Sequence, residues 1–551
     1  MSLSISWRLL DITAKGDSSL LASDKQPFVD INDLKRDDLA PTIAATWEED
    51  FFPMDGSMPL FPDEPEGLPW GWWSRSMSDL NGVFAAPPEL TITFTENHTS
   101  VGLTFDFYSP TDDYCSEIRI RWYDAADGLL ADKTFYPDRP RYVAYHLVEN
   151  YRKIVVTFLR TAKPYRYVKL TGILYGAIKE FTDADIEEAT LKEAVNPLSA
   201  ELPYSELMVR VFSEDEDFAI TNPKGIYAAL QQRQPLLVKA EGRELGTYYL
   251  NEWSSTAEIS TTLTATDLLG VIDKTDFLGG MYSNVPAGDI VAEIMASAGA
   301  EYEMDAALAS VPLSGWIPVC THREALQQVA FALGAIVTCG RTDRIHIQAP
   351  TASVAAHISY DRKTYEEKLT LRPLVTGVEV TAHSYKPETQ EKELYSAELS
   401  PGRHDILFSE PVHGITVTGA TLVSTGANHA VIDVSVAGTV NIAGKGYIDN
   451  TQLFGVYAAS LPAGEKRNVL QIKDATLISP ANAKAAAQRV YDYYQQRYEN
   501  ELEIVTAEGE QPGQLVTVDS MYGRVIKGRI EWLRLDLATM IATGGVVGVV
   551  E

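Results

Sequence analysis

A chain of 551 residues exceeds what one hydrophobic core normally organises, so we expect three or four domains. Its 76 acidic residues outnumber its 46 basic residues, which gives a formal net charge of -30. Because phosphate recognition needs clustered Lys and Arg, this balance argues against specific nucleic-acid binding and against binding to an anionic membrane surface.

The cysteines and the N-terminus indicate where the chain is made. Cys115, Cys320 and Cys339 are few, widely spaced and odd in number, so we expect neither a disulfide framework nor a zinc site. The first residues lack the pattern of a signal peptide. No segment approaches the roughly 18 apolar residues that span a bilayer. We therefore expect synthesis in a reducing cytoplasm and no membrane anchor.

Residues 1–176 contain many short β-type segments. The Asp127-Gly128 pair between two of them is typical of a hairpin turn. A tract rich in Pro, Gly and acidic residues, 51–69, precedes most of the strands and is expected to be an excursion from the fold. Alternating patterns predict strands at 91–94, 102–107, 118–122, 154–159 and 167–175. Short strands at this spacing favour an antiparallel β-sandwich.

The next segment, 177–280, is predicted to begin with a helix at 182–195. Thr182 would cap it, with Asp185 three residues on and further acidic residues in the first turn. A short helix headed by Thr266 and Asp267 is expected at its end. Between the two helices, β-type patterns predict strands at 206–212, 235–240, 246–253 and 257–263.

Residues 281–351 read as a small α/β unit. An apolar face predicts a helix at 286–298 that ends at Gly299. Thr321 and Glu324 form a capping box at the start of a second helix. Segments 335–338 and 344–348 form a predicted hairpin across Gly340.

Strands resume in the segment 352–551, interrupted by one strong helix. Ser479 is predicted to cap this helix, and Pro480 would occupy its first turn. One side of it carries Ala483, Ala486, Ala487, Val490, Tyr494 and Tyr498. Strands are predicted at 375–382, 415–417, 429–436, 439–442, 515–518 and 528–537, with a weaker one at 542–550. The predicted fold class is thus mainly β and multi-domain α+β.

Five aromatic residues are candidates for contact with a glycan. Flat rings stack on the faces of sugars, and these five lie close in sequence to turns or loops. They are Trp70, Trp72, Trp73, Trp122 and Tyr123. The alternative is that the rings fill one end of the sandwich or a subunit contact, since Trp is highly buried on average.

The sequence contains no clear motif for metal binding or catalysis. The acidic run 213–217 could supply oxygen ligands to calcium, but it lacks the spacing of a calcium loop and is read as a solvated turn. The nine histidines are scattered, and no nucleophile-elbow or phosphate-loop pattern occurs. We therefore predict no catalytic residues, no bound metal, no cofactor and no enzymatic activity. A pair of distant carboxylates for glycoside hydrolysis remains open.

Two parts of the chain resemble the tail-tip, or baseplate, hub proteins of phages and prophages. The shared pattern is an NP…G turn, a strand with a G-x-F/Y-Y-L-x-x-W signature and an A-x-D-L-L helix. The first part carries it in Asn196-Pro197-Leu198, Glu206-Leu207, Phe218, Asn222-Pro223-Lys224-Gly225, Gln234, Gly246-Thr247-Tyr248-Tyr249-Leu250, Trp253 and Ala265-Thr266-Asp267-Leu268-Leu269. The second part comprises 442–447, the Ala-rich helix, Pro512-Gly513 and Gly528-Arg529-Ile530. Residues 76–84, 87–92 and 150–154 resemble a galactose-binding-type sandwich.

The resemblance implies an N-terminal galactose-binding-like accessory sandwich (1–176), a first hub β-barrel (177–280), a small α/β domain (281–351) and a second hub β-barrel region (352–551). It also implies a homotrimer whose ring adapts a sixfold tail tube to a threefold tip. The implied partners are the tail tube or distal tail protein, the tape-measure protein and other tail-tip or receptor-binding proteins. The implied location is the tip of the virion tail, after assembly in the host cytoplasm.

Two other functions stay open at this point. The sandwich could make the chain a carbohydrate-binding adhesion protein that contacts a host surface glycan. The chain could also be a modular cell-wall hydrolase. The hub hypothesis predicts a self-associated protein, whereas the adhesion hypothesis predicts glycan binding by residues 1–176.

Overall fold

The computed structural model describes residues 3–36, 39–48, 55–64, 67–212, 233–257, 259–506 and 509–551. Within these ranges the protein is mainly β and built from several sheets, as the sequence predicts. The acidic run 213–217 and the turn motif 222–225 lie outside the described residues.

The strands of the first half, in chain order, are β1 (Leu3–Leu10), β2 (Ser19–Ala22), β3 (Trp72–Met77), β4 (Glu89–Phe107), β5 (Cys115–Tyr123), β6 (Leu129–Phe135), β7 (Arg141–Thr161), β8 (Tyr167–Leu174), β9 (Gly176–Thr182), β10 (Ile186–Ala194), β11 (Glu206–Phe212), β12 (Pro235–Ala240), β13 (Arg243–Ala257), β14 (Ser260–Thr266), β15 (Asp276–Phe277) and β16 (Gly280–Pro286). Those of the second half are β17 (Tyr302–Met304), β18 (Pro312–Ile317), β19 (Cys320–Thr321), β20 (Ile336–Thr338), β21 (Ile345–Gln348), β22 (Val354–Ile358), β23 (Lys363–Leu371), β24 (Gly377–Ala382), β25 (Tyr385–Leu399), β26 (Gly402–Leu407), β27 (His413–Thr418), β28 (Thr421–Thr425), β29 (His429–Val434), β30 (Gly438–Asp449), β31 (Gln452–Tyr457), β32 (Val469–Ile472), β33 (Tyr498–Val505), β34 (Leu515–Ser520), β35 (Arg524–Asp536) and β36 (Ile541–Val550). The α-helices are α1 (Ile12–Asp17), α2 (Leu268–Ile272), α3 (Ala287–Ala298), α4 (Ala306–Ala309), α5 (His322–Leu333) and α6 (Ala483–Tyr494).

A seven-stranded sheet organises what we call the N-terminal unit, residues 19–174. Its strand order is β3-β8-β4-β7-β5-β6, and β2 is added beside β4. The hairpin between β5 and β6 turns at Asp127, whose φ of 60° lies in the left-handed region, as the Asp-Gly pair predicts. The core beneath the sheet is rich in aromatic side chains, including Trp72, Phe105 and Phe158.

A 13-stranded ladder, the large sheet, joins distant parts of the chain. Its main path is β23-β33-β36-β35-β10-β11-β14-β13-β12-β1-β9, with β34 beside β35 and β22 beside β34. One core lies against both halves of this ladder, with Leu207 and Leu250 from one half and Val516 and Leu535 from the other. The prediction of two barrels is corrected here: among the described residues the strands form a single open ladder, because β10 pairs with β35 and joins the halves.

The helix predicted at 182–195 is wrong, since β10 occupies most of this segment. β10 runs between β11 and β35, so its backbone is hydrogen-bonded on both sides. Ala189, Leu191 and Glu193 are buried, and so is Thr190 between them, as befits a strand inside a sheet. Acidic residues after Thr182 imitate a helix start; Asp185 instead accepts a hydrogen bond from the Thr182 backbone at 2.9 Å and closes the β9–β10 turn.

A third core is shared by the α/β segment and by later parts of the chain. Helices α3 and α5 pack there with the β20–β21 hairpin, and β24 and α6 contribute Val378, Val380, Ala486 and Val490. The 281–351 segment therefore buries its helices against residues that come later in the chain, in β24 and α6. A fourth, smaller core lies among β25–β30, where two three-stranded sheets meet.

The helix ends test the capping predictions. Thr321 and Glu324 make the predicted capping box, and α3 ends at Gly299 with a φ of 65°. Asp267 caps α2 by accepting a hydrogen bond from the Gly270 backbone at 3.2 Å. The Ser479 cap is wrong: α6 begins at Ala483, and Asn482 is its N-cap residue without a side-chain capping bond.

The last strand is stronger than its sequence indicates. β36 lies between β33 and β35, inside the ladder rather than at an edge. Its glycines allow a close approach of the two backbones, since a Cβ at Gly548 would lie 2.1 Å from the Lys527 carbonyl oxygen. The glycine-rich run 544–548 is thus a packing requirement of this strand pair.

Candidate functional site

The predicted glycan-contact residues all belong to the N-terminal unit, and most of them lie in its core. Trp70, Trp72, Trp73 and Trp122 are at most 2% exposed. The half-buried Tyr123 ring is covered by the Lys153 ammonium, 4.5 Å from its centroid. The structure therefore places the tryptophan rings in the core, where no ring face is open to a sugar.

The tryptophans pack on one another and on neighbouring rings. Trp70 and Trp73 meet edge to face with ring centroids 5.6 Å apart, and Phe28 lies 4.8 Å from Trp70. Trp72 packs on Phe158 at 5.2 Å. The indole nitrogen of Trp72 donates to the Asp24 carbonyl oxygen at 3.0 Å, and that of Trp73 donates to the Trp70 carbonyl oxygen at 3.1 Å. This is the geometry of a packed aromatic core.

A cluster of charged side chains, the Lys169 cluster, lies directly against these rings. It consists of Lys169 on β8, Glu48, Asp113 and Arg166. The Lys169 Nζ is 2.6 Å from Glu48 Oε2 and 2.8 Å from Asp113 Oδ2. Arg166 Nε approaches Asp113 Oδ1 at 3.3 Å. The side chains of Lys169 and Glu48 are fully buried, and that of Asp113 is 4% exposed.

The electrostatics of this cluster reflect the burial of its side chains. Burial lowers the pKa of Lys169, although the carboxylates of Glu48 and Asp113 act in the opposite direction. The ammonium also lies 4.9 Å from the centroid of Trp73 and 5.3 Å from that of Tyr108. Sequence reasoning missed the cluster because its members stand at positions 48, 113, 166 and 169 and no local motif links them.

A second polar site joins the N-terminal unit to the large sheet. α1 connects β1 of the large sheet to β2 of the N-terminal unit; Asp11 caps its start and Asp17 is its last residue. His98 of β4 lies between them, with Nδ1 2.8 Å from Asp11 Oδ2 and Nε2 3.0 Å from Asp17 Oδ2. Burial lowers the pKa of His98, but the hydrogen bonds to Asp17 and Asp11 outweigh it, and the pKa is raised. The imidazolium form satisfies both carboxylates.

Replacing His98 by glutamine should destabilise the protein more at low pH than at high pH. A raised folded-state pKa adds stability that is fully present below the unfolded value near 6.5 and is lost as the pH rises through the folded value. The pKa of Asp17 is lowered by hydrogen bonds from Thr95, Glu96 and His98, so it stays charged across this window. Thermal unfolding of both proteins across the pH range measures the difference.

The matched control for this experiment is His357→Gln. His357 also faces a carboxylate, Asp519 at 3.5 Å, but its side chain is 52% exposed. Exposed pairs contribute about 0–1 kcal/mol, so its effect should be small at every pH. A His98→Gln effect that does not change with pH, or grows as pH rises, contradicts the assignment.

The described ranges contain no candidate metal site. No group of three or more His, Cys, Asp or Glu side chains is arranged there to hold a metal ion. Cys115 and Cys339 are buried free thiols, and burial raises the pKa of both. Over those same residues, no helix has the length and apolar character required to cross a bilayer.

The outer edge of the large sheet forms a third candidate site, which we call the edge patch. Among the described residues, β23 pairs with β33 on one side and with no strand on the other. Beside it, the tip of the β34–β35 hairpin presents Tyr522, which is 100% exposed and has a φ of 57°. Met521 and Tyr360 next to it are 45% and 52% exposed. An unpaired edge strand beside exposed aromatic side chains is suited to contact with another protein.

Comparison with known proteins finds similarities to solved structures. No protein-family profile and no curated protein sequence matches the chain. Among solved structures, it is similar to the 43 kDa tail protein of prophage MuSo2 from Shewanella oneidensis, with 13% identity, a TM-score of 0.43, and coverage of 67% of this chain and 96% of that one. It is also similar to the tail protein from Neisseria meningitidis MC58, with 12% identity and a TM-score of 0.41. That match covers 67% of this chain and 94% of the other. The family 32 carbohydrate-binding module of C. perfringens NanJ, solved with galactose, matches with 8% identity and a TM-score of 0.20. That match covers 32% of this chain and 99% of the module. At these values the similarities by themselves assign no function to the chain.

Proposed function

We propose that the protein is a structural component of the tail tip of a phage or phage-like particle. In this proposal three copies form a ring that joins the sixfold tail tube to the threefold tip. The protein acts by assembly and not by catalysis, and it is located in the virion after assembly in the host cytoplasm. Its neighbours in the particle are the tube or distal tail protein, the tape-measure protein and other tail-tip or receptor-binding proteins.

The position of the hub-like residues supports this proposal. Gly246–Leu250 lies in β13, Ala265 and Asp267 lie at the junction of β14 and α2, and Gly528–Ile530 lies in β35. These elements belong to the two halves of the large sheet, which β10 and β35 join. Part of the hub-like pattern, in β13, β14 and β35, therefore builds the sheet that would carry the ring, whereas 442–447 lies in β30 of a separate sheet.

The edge patch is the single observation that carries self-association. Open sheet edges invite pairing with another chain, and proteins usually protect such edges unless they are used. Here β23 carries Lys368, whose side chain is 75% exposed and pairs with Glu501 of the neighbouring strand at 3.3 Å, so a partner strand would meet a charged edge. Tyr522 is held in a left-handed backbone conformation, which is uncommon for an aromatic residue and often marks a functional position.

Light scattering on the purified full-length chain tests this proposal. We expect a mass three times the 60.7 kDa of one chain at micromolar concentration. Tyr522→Ala should weaken the trimer, because exposed aromatic anchors carry much of the binding energy in protein interfaces. The matched control is Tyr136→Ala, which removes a tyrosine that is 67% exposed on the N-terminal unit, and it should leave the mass unchanged. A stable monomer for the wild type counts against the proposal.

A further inference from the structure

The Lys169 cluster brings an amine and a carboxyl group to reacting distance. Lys169 Nζ is 2.8 Å from Asp113 Oδ2, which is one covalent bond from the carboxyl carbon Cγ. Lys169 stands on β8, and Asp113 stands in the turn before β5. The two residues are 56 positions apart in the sequence. The proposed assembly does not use this cluster, so its chemistry can be judged independently.

We propose that Lys169 and Asp113 condense into an intramolecular isopeptide bond, with Glu48 as the carrier of a proton. The bond that forms joins Lys169 Nζ to Asp113 Cγ. The bond that breaks is Cγ–Oδ2, and Oδ2 leaves as water. The ammonium and the carboxylate together become a neutral amide and one water molecule, and no oxidant or reductant is needed.

The three ammonium protons have defined destinations. The first passes from Nζ to Asp113 Oδ2 over the 2.8 Å contact, which leaves a neutral amine and a neutral carboxylic acid. The amine lone pair then attacks Cγ, and the second proton passes from nitrogen to Glu48 Oε2, which is 2.6 Å from Nζ. Glu48 delivers this proton to the leaving Oδ2, so water departs and the Glu48 carboxylate is restored. The third proton stays as the amide N–H.

Neighbouring groups hold the reacting atoms in place. Arg166 Nε donates to Asp113 Oδ1 at 3.3 Å, the oxygen on which negative charge develops in the tetrahedral intermediate. Thr111 Oγ1 donates to Oδ2 at 2.8 Å, the oxygen that leaves. Glu48 is held by two donors, the Thr46 hydroxyl at 2.7 Å and the Tyr167 backbone N–H at 2.9 Å.

The surroundings favour condensation over the ion pair. Burial lowers the pKa of Lys169 and so favours the neutral amine that can attack. Trp73 and Tyr108 form walls beside the ammonium, and exclusion of water suppresses the reverse hydrolysis. Burying an unreacted ion pair costs desolvation energy, and a neutral amide removes the two charges that carry that cost.

Intact-mass spectrometry of the denatured, full-length wild-type protein tests the proposal. The expected mass is lower than the sequence mass by one water molecule. Proteolysis should then yield a branched peptide that joins the Lys169 segment to the Asp113 segment. An unmodified mass overturns the proposal, and so does a water loss located elsewhere, such as a cyclic imide at Asp113.

Two variants separate the roles of the residues. In the Glu48→Gln variant, the folded fraction isolated by size exclusion should have the intact mass of the unlinked chain. A linked product in that fraction would overturn the proposed role of Glu48. Lys163→Met is the matched control, because Lys163 Nζ also approaches Asp113, at 3.8 Å from Oδ1, but is 38% exposed. The link should form normally in Lys163→Met. Its loss in that variant would mean that Lys163, and not Lys169, supplies the reacting amine, and would overturn the proposal. The wild-type mass decides the proposal even if Glu48→Gln yields no folded fraction.

Discussion

Replacing Arg341 by methionine should lower the free energy of unfolding by about 3–5 kcal/mol, because the change leaves a buried carboxylate without its partner. Arg341 Nε and Nη2 lie 2.9 and 2.6 Å from the two carboxylate oxygens of Glu193, and both side chains are 7% exposed. Arg341 Nη2 also donates to the Glu510 carbonyl oxygen at 3.1 Å. The pair ties the β20–β21 hairpin to β10 of the large sheet. Denaturant unfolding followed by tryptophan fluorescence measures the loss.

The same hairpin supplies the control for that prediction. Arg344 pairs with Glu303 at 2.8 Å, but these side chains are 40% and 57% exposed. Arg344→Met should therefore cost about 0–1 kcal/mol. A double change, Arg341→Met with Glu193→Leu, should recover much of the loss because it removes both buried charges. Equal effects of Arg341→Met and Arg344→Met would contradict the assignment of the buried pair.

Replacing Trp72 by alanine should cost about 3–5 kcal/mol, the usual range for removal of a large buried aromatic side chain. Trp72 is fully buried, packs on Phe158 and donates to the Asp24 carbonyl oxygen. The change would leave a cavity in the core of the N-terminal unit and an acceptor without its donor. Thermal unfolding of the full-length chain measures the effect.

The control for Trp72 is another tryptophan of the same unit. Trp47 is 76% exposed, so Trp47→Ala should stay within about 0.5 kcal/mol of the wild type. If Trp72 instead served a glycan platform, Trp72→Ala would abolish sugar binding and leave the unfolding temperature unchanged. That outcome would contradict the core assignment.

Local patterns predicted most elements because their causes are local. The predicted strand at 206–212 has the same bounds as β11. Its apolar residues alternate and face one core, so the pattern is visible in the sequence. The capping box at Thr321 and the left-handed Gly299 are likewise properties of a few adjacent residues. Such features depend little on the rest of the fold.

The errors have non-local causes. Nothing near residues 182–195 indicates that β35, more than three hundred residues later, completes the ladder on that side of β10. The same pairing joins the halves of the large sheet that the sequence suggested as separate barrels. The Lys169 cluster escaped notice for a related reason, because Glu48, Asp113 and Lys169 meet only after the N-terminal unit has folded.

The aromatic residues show how one pattern supports two opposite interpretations. The Trp-rich segment 70–73 is compatible with a sugar platform or with a core, and composition does not decide between them. Burial decides: β3 pairs with β8, and the indole rings of 72 and 73 pack among neighbouring rings in the core of the unit. Other aromatic side chains are exposed, among them Trp47 of the same unit and Tyr522 and Tyr360 of the edge patch.

We propose that copies of this chain close into a ring at a tail tip. Electron-microscopy class averages of the purified full-length protein test it most directly. We expect a ring with threefold symmetry and a central opening. Isolated single copies, or open filaments without a closed ring at the same concentration, would contradict it.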